Sequence, residues 1–226
     1  MTPQRFALFH LTREPAVQVA DPAPLLLLLH GIGSNEGDLM ALAPYLDRRF
    51  FVVGARAPIA MGPDAYGWYH TDFTPERRII DSSEPVRSRN VILRFIEELI
   101  EAYHLDAMGV YIMGFSQGAI MTLGVALSRP DLLAGAVVMS GRPLPELVSR
   151  TADRKSLTGL PILVVHGTED PVLPVENGRR VKKLLETLPV NLTYREYPMG
   201  HQVATESLGD VAAWLTARLD ERERLV

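Results

Sequence analysis

The chain has no cysteine among its 226 residues. A disulfide framework and a cysteine-ligated metal site are therefore excluded, and thiol usage says nothing of compartment. It also lacks any long basic run, and its formal net charge of −4 leaves no electrostatic footprint for nucleic acid or an anionic membrane, so neither is expected as a partner. Nor is there an apolar stretch of bilayer length. The longest leucine run, Leu25 to Leu29, is five residues where about 20 are needed to span, and Met1 to Pro15 has no apolar segment behind a basic start that would read as a signal peptide. Repeats, low-complexity tracts and linkers are absent as well, so one domain over residues 1–226 is expected. What remains is a chain that is 47% hydrophobic and 22% charged, able to bury a sizeable core. The expectation is a soluble, cytoplasmic protein.

Short apolar runs alternate with segments of helical period. Strands are expected at Phe6 to Leu11, Leu25 to Leu29, Phe50 to Gly54, Val110 to Gly114, Ala136 to Met139, Ile162 to Val165 and Leu192 to Tyr197. Several are apolar throughout, as strands buried on both faces must be. Helices are expected at Asp38 to Arg48, Val91 to Tyr103, Ala119 to Ser128, Val175 to Leu188 and Val203 to Leu219. This alternation predicts an α/β fold, a mostly parallel central sheet with helices on both faces. Met61 to Arg89 breaks the rhythm with Pro63, Pro75 and Pro85 and no clear period, which suggests a long excursion over the sheet whose Trp68 and Tyr69 line a pocket.

One strand ends in chemistry. Val110 to Gly114 runs into Gly114-Phe115-Ser116-Gln117-Gly118 and then a helix, the setting in which a serine hydroxyl stands exposed on a sharp turn within reach of a base. The five-residue motif alone is equally compatible with an incidental serine, so its context decides. Leu25 to Leu29 runs into His30-Gly31-Ile32-Gly33, a glycine-rich turn able to aim the Ile32 N–H beside the serine. The Gln117 N–H would supply the second donor of an oxyanion hole. Ile162 to Val165 runs into a turn that presents Glu169 and Asp170, and Leu192 to Tyr197 runs into Gly200-His201. The order Ser116, Asp170, His201, each behind its own strand, is that of an α/β-hydrolase triad. Ser116 would attack a carbonyl, His201 would carry the proton, and Asp170 would orient the imidazole.

Other residues compete for these roles. Pro171 biases Asp170 to an extended conformation and fixes the turn, which favours Asp170 over Glu169. His30 and His166 do not fit the order and are read as hydrogen-bonding to loop backbone. His10, His70 and His104 have no matching acid and are assigned surface or packing roles. Asp210, in the last helix, is expected to face solvent.

His30-Gly-Ile-Gly-Ser34-Asn35-Glu36-Gly-Asp38-Leu39, Gly-Phe-Ser116-Gln-Gly, Ser140-Gly141, His166-Gly-Thr-Glu-Asp170-Pro-Val-Leu-Pro174 and Met-Gly-His201 together resemble the phospholipase/carboxylesterase family, which includes acyl-protein thioesterases. The likeness spans roughly residues 24 to 220. It implies a compact α/β-hydrolase fold without a large cap, no cofactor, no metal, and hydrolysis of carboxylic esters or thioesters. Ser34-Asn35-Glu36 looks more like the bacterial carboxylesterase branch. The leading expectation is a serine carboxylesterase for small to medium esters, with a shallow pocket lined by Ile32, Trp68, Tyr69 and Leu173. The alternatives are an acyl thioesterase or lysophospholipase, and a non-catalytic α/β-hydrolase-fold binding protein. A small-molecule ester is the expected partner, with a homodimer possible.

Overall fold

The computed structural model describes residues 6–17, 22–72 and 79–224. In chain order they form β1 (His10–Arg13), β2 (Leu25–Leu29), α1 (Gly37–Met40), β3 (Phe51–Ala55), β4 (Ile59–Gly62), β5 (Ala65–Gly67), α2 (Glu84–Tyr103), β6 (Val110–Phe115) and α3 (Gln117–Ser128). After these come β7 (Gly135–Met139), α4 (Pro145–Val148), β8 (Pro161–Gly167), α5 (Glu176–Glu186), β9 (Asn191–Tyr197) and α6 (Thr205–Glu223). Seven strands make one sheet in the order β1-β3-β2-β6-β7-β8-β9. Only the edge strand β1 runs antiparallel to its neighbour; the pairings from β3 to β9 are parallel.

The apolar strands are buried on both faces, and alternate residues feed two separate cores. Leu25, Leu27 and Leu29 join Ile112, Val138 and Val164 beneath α2, α3 and α5. Leu26 and Leu28 join Met113, Val137 and Val165 beneath Leu208, Val211 and Leu215 of α6. Since successive side chains of a strand point to opposite faces, a run of five leucines is what a doubly covered strand requires. Helix α3 is apolar on every side and buried from Gln117 to Leu127, which places it in the interior rather than on the surface.

The strand order also positions the site. From β2 the chain steps to β3 on one side, then returns past β2 to lay down β6, β7, β8 and β9 on the other. The crevice between the carboxyl ends of β2 and β6 is therefore the topological switch point, where open α/β sheets bind ligands. Leu29 and Gly114 are paired neighbours at that point.

Four expectations are corrected. The strand expected at Phe6 to Leu11 begins only at His10. The helix expected at Asp38 to Arg48 is one turn of α-helix followed by a 3-10 turn, Ala43–Tyr45, because Pro44 has no N–H to continue the ladder. The excursion from Met61 to Arg89 is not structureless. It holds the β4–β5 hairpin, and α2 starts at Glu84 rather than Val91, with Pro85 in its first turn. That proline is a helix start, where the missing N–H costs nothing. Pro75 lies outside the described residues. Among them, no helix is long and apolar enough to cross a membrane.

Candidate active site

The turn after β6 leaves very little room. A Cβ on Gly114 would stand 2.3 Å from the Gly118 carbonyl oxygen, and one on Gly118 would stand 1.9 Å from the Leu29 carbonyl oxygen. Glycine at both positions lets the first turn of α3 press against β6 and β2. Ser116 between them takes φ 54° and ψ −116°, a conformation that costs a non-glycine residue on the order of 1–3 kcal/mol and persists only where the surroundings enforce it. The neighbouring strands do so, and the Ser116 N–H donates to the Met139 carbonyl at 3.0 Å.

Two further strand ends meet this serine. The Ser116 hydroxyl lies 2.9 Å from His201 Nε2, and His201 Nδ1 lies 2.7 Å from Asp170 Oδ2. With a carboxylate at Nδ1, the neutral imidazole carries its proton there, which leaves Nε2 to accept from the hydroxyl. The other oxygen of Asp170 accepts the N–H groups of Val172 at 2.9 Å and Leu173 at 2.8 Å. The carboxylate is thus wholly buried yet saturated with donors. Glu169, one residue earlier, is exposed. An arrangement of this kind can take a proton from a hydroxyl as it attacks and return it to a departing group.

Ile32 and Gln117 line the cleft at Ser116 together with Tyr69, Thr71, Ile120, Arg142 and Leu173. Gln117 opens α3, so its N–H is one of the four that a helix leaves without an internal partner. Trp68 does not line the cleft, contrary to expectation. It is completely buried, and its indole N–H donates to the His30 carbonyl at 2.9 Å. A large ring with one polar atom is most stable where both the ring and that atom are satisfied inside.

The Gln117 side chain was not singled out from sequence, yet it ties the excursion to the elbow. Its Oε1 accepts the Trp68 N–H at 2.7 Å and its Nε2 donates to the Tyr69 carbonyl at 2.8 Å. The hairpin is also clipped to the turn that carries Ile32. The Gly33 N–H donates to the Tyr66 carbonyl and the Tyr66 N–H to the Ser34 carbonyl, both at 2.8 Å. The available signal was an amide directly after a serine in a tight turn, where a side chain of that length reaches whatever lies over the sheet.

The remaining histidines sort as read, with one correction. The Ala57 N–H donates to His30 Nε2 at 3.0 Å, so Nδ1 carries the proton and donates to the Gly31 carbonyl at 2.7 Å. Burial pushes the His30 pKa below its ordinary value. His166 Nε2 donates to the Leu173 carbonyl at 2.7 Å and lies 3.7 Å from Asp170 Oδ2. His10 is bonded to the Tyr103 hydroxyl at 2.9 Å, and His104 closes α2 in the left-handed conformation. His70 does have an acid partner. Its Nδ1 lies 3.0 Å from the Glu84 carboxylate, and the pair makes no hydrogen bond to Ser116. Asp210 is exposed as expected, but it also accepts the Tyr197 hydroxyl at 2.6 Å. Among the described residues no group of three or more His, Asp or Glu side chains is placed to hold a metal ion.

A sequence model of the phospholipase/carboxylesterase family matches residues 15–219. The chain belongs to the phospholipase/carboxylesterase family. Members of this family are serine hydrolases of the α/β-hydrolase type, and this chain is one of them. Acyl-protein thioesterase 1 of Eremothecium gossypii is 28% identical over 215 residues, covering 89% of this chain and 91% of the relative. Carboxylesterase SOBER1 of Arabidopsis thaliana is 30% identical over 144 residues, covering 62% of this chain and 61% of the relative. The crystal structure of esterase PE8 superposes with a TM-score of 0.79 at 27% identity, covering 93% of this chain and 98% of that one.

Proposed function

We propose that the whole chain forms one catalytic unit, a carboxylesterase acting on small to medium carboxylic esters through Ser116, His201 and Asp170. The continuous hydrogen-bonded line from the Ser116 hydroxyl through His201 to the buried Asp170 carboxylate carries this reading. Ser116 Oγ attacks the ester carbonyl as His201 Nε2 takes its proton, and the tetrahedral oxyanion accepts the N–H groups of Ile32 and Gln117. Collapse expels the alcohol, which leaves with the proton from His201. Water then attacks the acyl-enzyme with His201 as base, releasing the acid and restoring the serine.

The cleft at Ser116 has a volume of about 20 Å³, room for little more than a water or two. A reacting carboxyl group fits against Tyr69 and Leu173, which line the cleft, and the rest of a substrate extends out of it. Rate should therefore rise from acetyl to a moderate acyl length, at about 0.8 kcal/mol for each methylene buried, then stop rising.

A fluorophosphonate should label Ser116 and no other serine. Ser116→Ala should lose on the order of 10³ to 10⁶ in kcat with its fold intact; an adduct on any other residue overturns the assignment. The thioesterase reading is favoured by the relatives named acyl-protein thioesterase 1. It predicts that kcat/KM keeps rising through palmitoyl and that acyl thioesters outrun the matching oxygen esters.

A further inference from the structure

The loop that brings Ile32 to the cleft is soft by composition. Ile32 stands between Gly31 and Gly33, and Gly33 takes φ 80°, a setting that glycine enters and leaves at little cost. Among the described residues the Ile32 N–H has no hydrogen-bond partner, so it is left to donate to a substrate oxygen. Such a donor speeds a reaction only if its direction is fixed before the charge develops. The direction of the Ile32 N–H is therefore set by whatever ties its neighbours down.

The ties come from the residues that follow β3 and from the hairpin. Ahead of Ile32, His30 Nε2 accepts the Ala57 N–H at 3.0 Å. Behind it, the buried Glu36 carboxylate accepts two hydrogen bonds from Arg56, from Nε at 2.6 Å and from Nη2 at 2.5 Å. Adjacent residues thus grip the loop at both ends. The hairpin holds the middle: Tyr66 accepts the Gly33 N–H and donates its own to the Ser34 carbonyl, and Asn35 Nδ2 donates to Asp64 Oδ2 at 2.9 Å. Arg56 joins the two sets. Its guanidinium lies over the Tyr66 ring, 4.5 Å from the centroid, and over the Phe9 ring at 4.2 Å.

A planar fork that bonds both oxygens of a carboxylate while stacking on rings is a task lysine cannot reproduce. Arg56 is not among the described residues lining the cleft, so whatever it does for the reaction it does through the loop. Resting on the esterase reading above, in which the Ile32 N–H meets the tetrahedral oxyanion, we propose that Arg56 is a positioning residue. It clamps the hairpin to the Ile32 loop, through the Tyr66 ring on one side and the Glu36 carboxylate on the other, and so aims that N–H at the oxygen of the reacting carbonyl.

The test measures turnover of p-nitrophenyl butyrate per active site, counted by fluorophosphonate titration, in wild type, Arg56→Gln and Arg56→Lys. Arg56→Gln should lower kcat by about tenfold to a hundredfold, less than the outright loss of an oxyanion donor, with KM within about twofold. Arg56→Lys, which keeps the charge without the fork, should recover only part of this. Trifluoromethyl butyl ketone adds to Ser116 Oγ as the hydroxyl proton passes to His201, and the ketone oxygen becomes the oxyanion. Its affinity should weaken in step with kcat/KM, while the matching alcohol, which forms no oxyanion, binds all variants alike. Arg49→Gln, which breaks ion pairs with Asp47 and Asp220, should lower the denaturation midpoint and leave kcat unchanged. An unchanged kcat per active site in Arg56→Gln overturns the proposal, as does a loss that the ketone affinity does not share. Should Arg56→Gln fail to fold, the Glu36→Gln/Arg56→Gln double variant, which leaves no charge unpaired, carries the same comparisons. If wild type turns over no ester, the esterase reading fails instead. The clamp is then decided by amide exchange at Gly33 and Tyr66, which should be at least about tenfold faster in Arg56→Gln; equal rates overturn it too.

Discussion

At the end of β6 the chain turns through a serine with φ 54° between two glycines that have no room for a methyl group, whereas at the end of β8 it turns through a carboxylate that accepts two backbone N–H groups and a histidine. The first turn is shaped by contact: β2 and α3 close on it until one backbone conformation is left. The second is shaped by hydrogen bonds. The Val172 and Leu173 N–H groups point at Asp170, and His166 holds the Leu173 carbonyl from behind. Sterically defined turns should fail abruptly when an atom is added. Hydrogen-bonded turns should fail by degrees as partners are removed, except at the one atom on which the chemistry depends.

That exception should show the largest effect. Asp170→Asn keeps the shape of the acid turn but disturbs the tautomer of His201, so kcat should fall by about 10⁴. Glu169→Gln, beside it and exposed, should leave turnover within a few-fold. The reverse ranking would move the acid one residue upstream.

Next comes the steric turn. Gly118→Ala drives a methyl group into the Leu29 carbonyl and should cost more than about 4 kcal/mol, read as a collapse of the denaturation midpoint. Gly209→Ala, on α6 where a Cβ meets nothing within 4 Å, should instead raise stability by up to about 1 kcal/mol. Equal effects at the two glycines would refute the contact argument.

His166→Ala should be milder and graded. It strands the buried Leu173 carbonyl, at about 1–3 kcal/mol of stability, and loosens the turn behind Asp170 without touching Ser116. A loss of kcat near tenfold, far short of Asp170→Asn, would fit a hydrogen-bonded turn. No loss of stability would show that His166 does not hold it.

The smallest effect lies away from both turns and appears only in acid. Asp47, hydrogen-bonded to Arg49 and Thr216, has its carboxyl pKa lowered to about 2. The native state therefore binds fewer protons there than the unfolded chain between about pH 4 and pH 2. The stability that Asp47 contributes is full above the ordinary carboxylate range and is lost as pH falls through about 2. Asp47→Asn should be less stable than wild type at pH 7, and the difference should shrink below about pH 4 and close by about pH 2. A gap that stays constant with pH would remove the ionic explanation.

Much of the fold was legible because burial on two faces leaves a mark on composition. Leu25 to Leu29 needs a core on each side, and the sequence contains helices enough to supply both. Edges and connections were less legible. Half-exposed β1 carries no such pattern, and Pro85 reads as a breaker unless the helix behind it is already known. The site followed the same division. Ser116, Asp170 and His201 stand one, three and four residues beyond the ends of β6, β8 and β9, so their order along the chain could be read before their hydrogen bonds were seen. Trp68 was misplaced because an aromatic residue in a proline-rich stretch looks exposed until a partner for its N–H, here the His30 carbonyl, is found.

The sequence by itself determined the strand order along the chain, the doubly covered sheet and the chemical identity of the three residues at its carboxyl edge, because periodicity and motif are local properties of neighbouring residues. Only the tertiary structure decided that the Gln117 side chain staples the excursion to the elbow and that His166 stands behind the acid turn. Those relations join residues 7 to 49 positions apart, through side chains whose partners are fixed only when the turns and the hairpin have packed over the sheet.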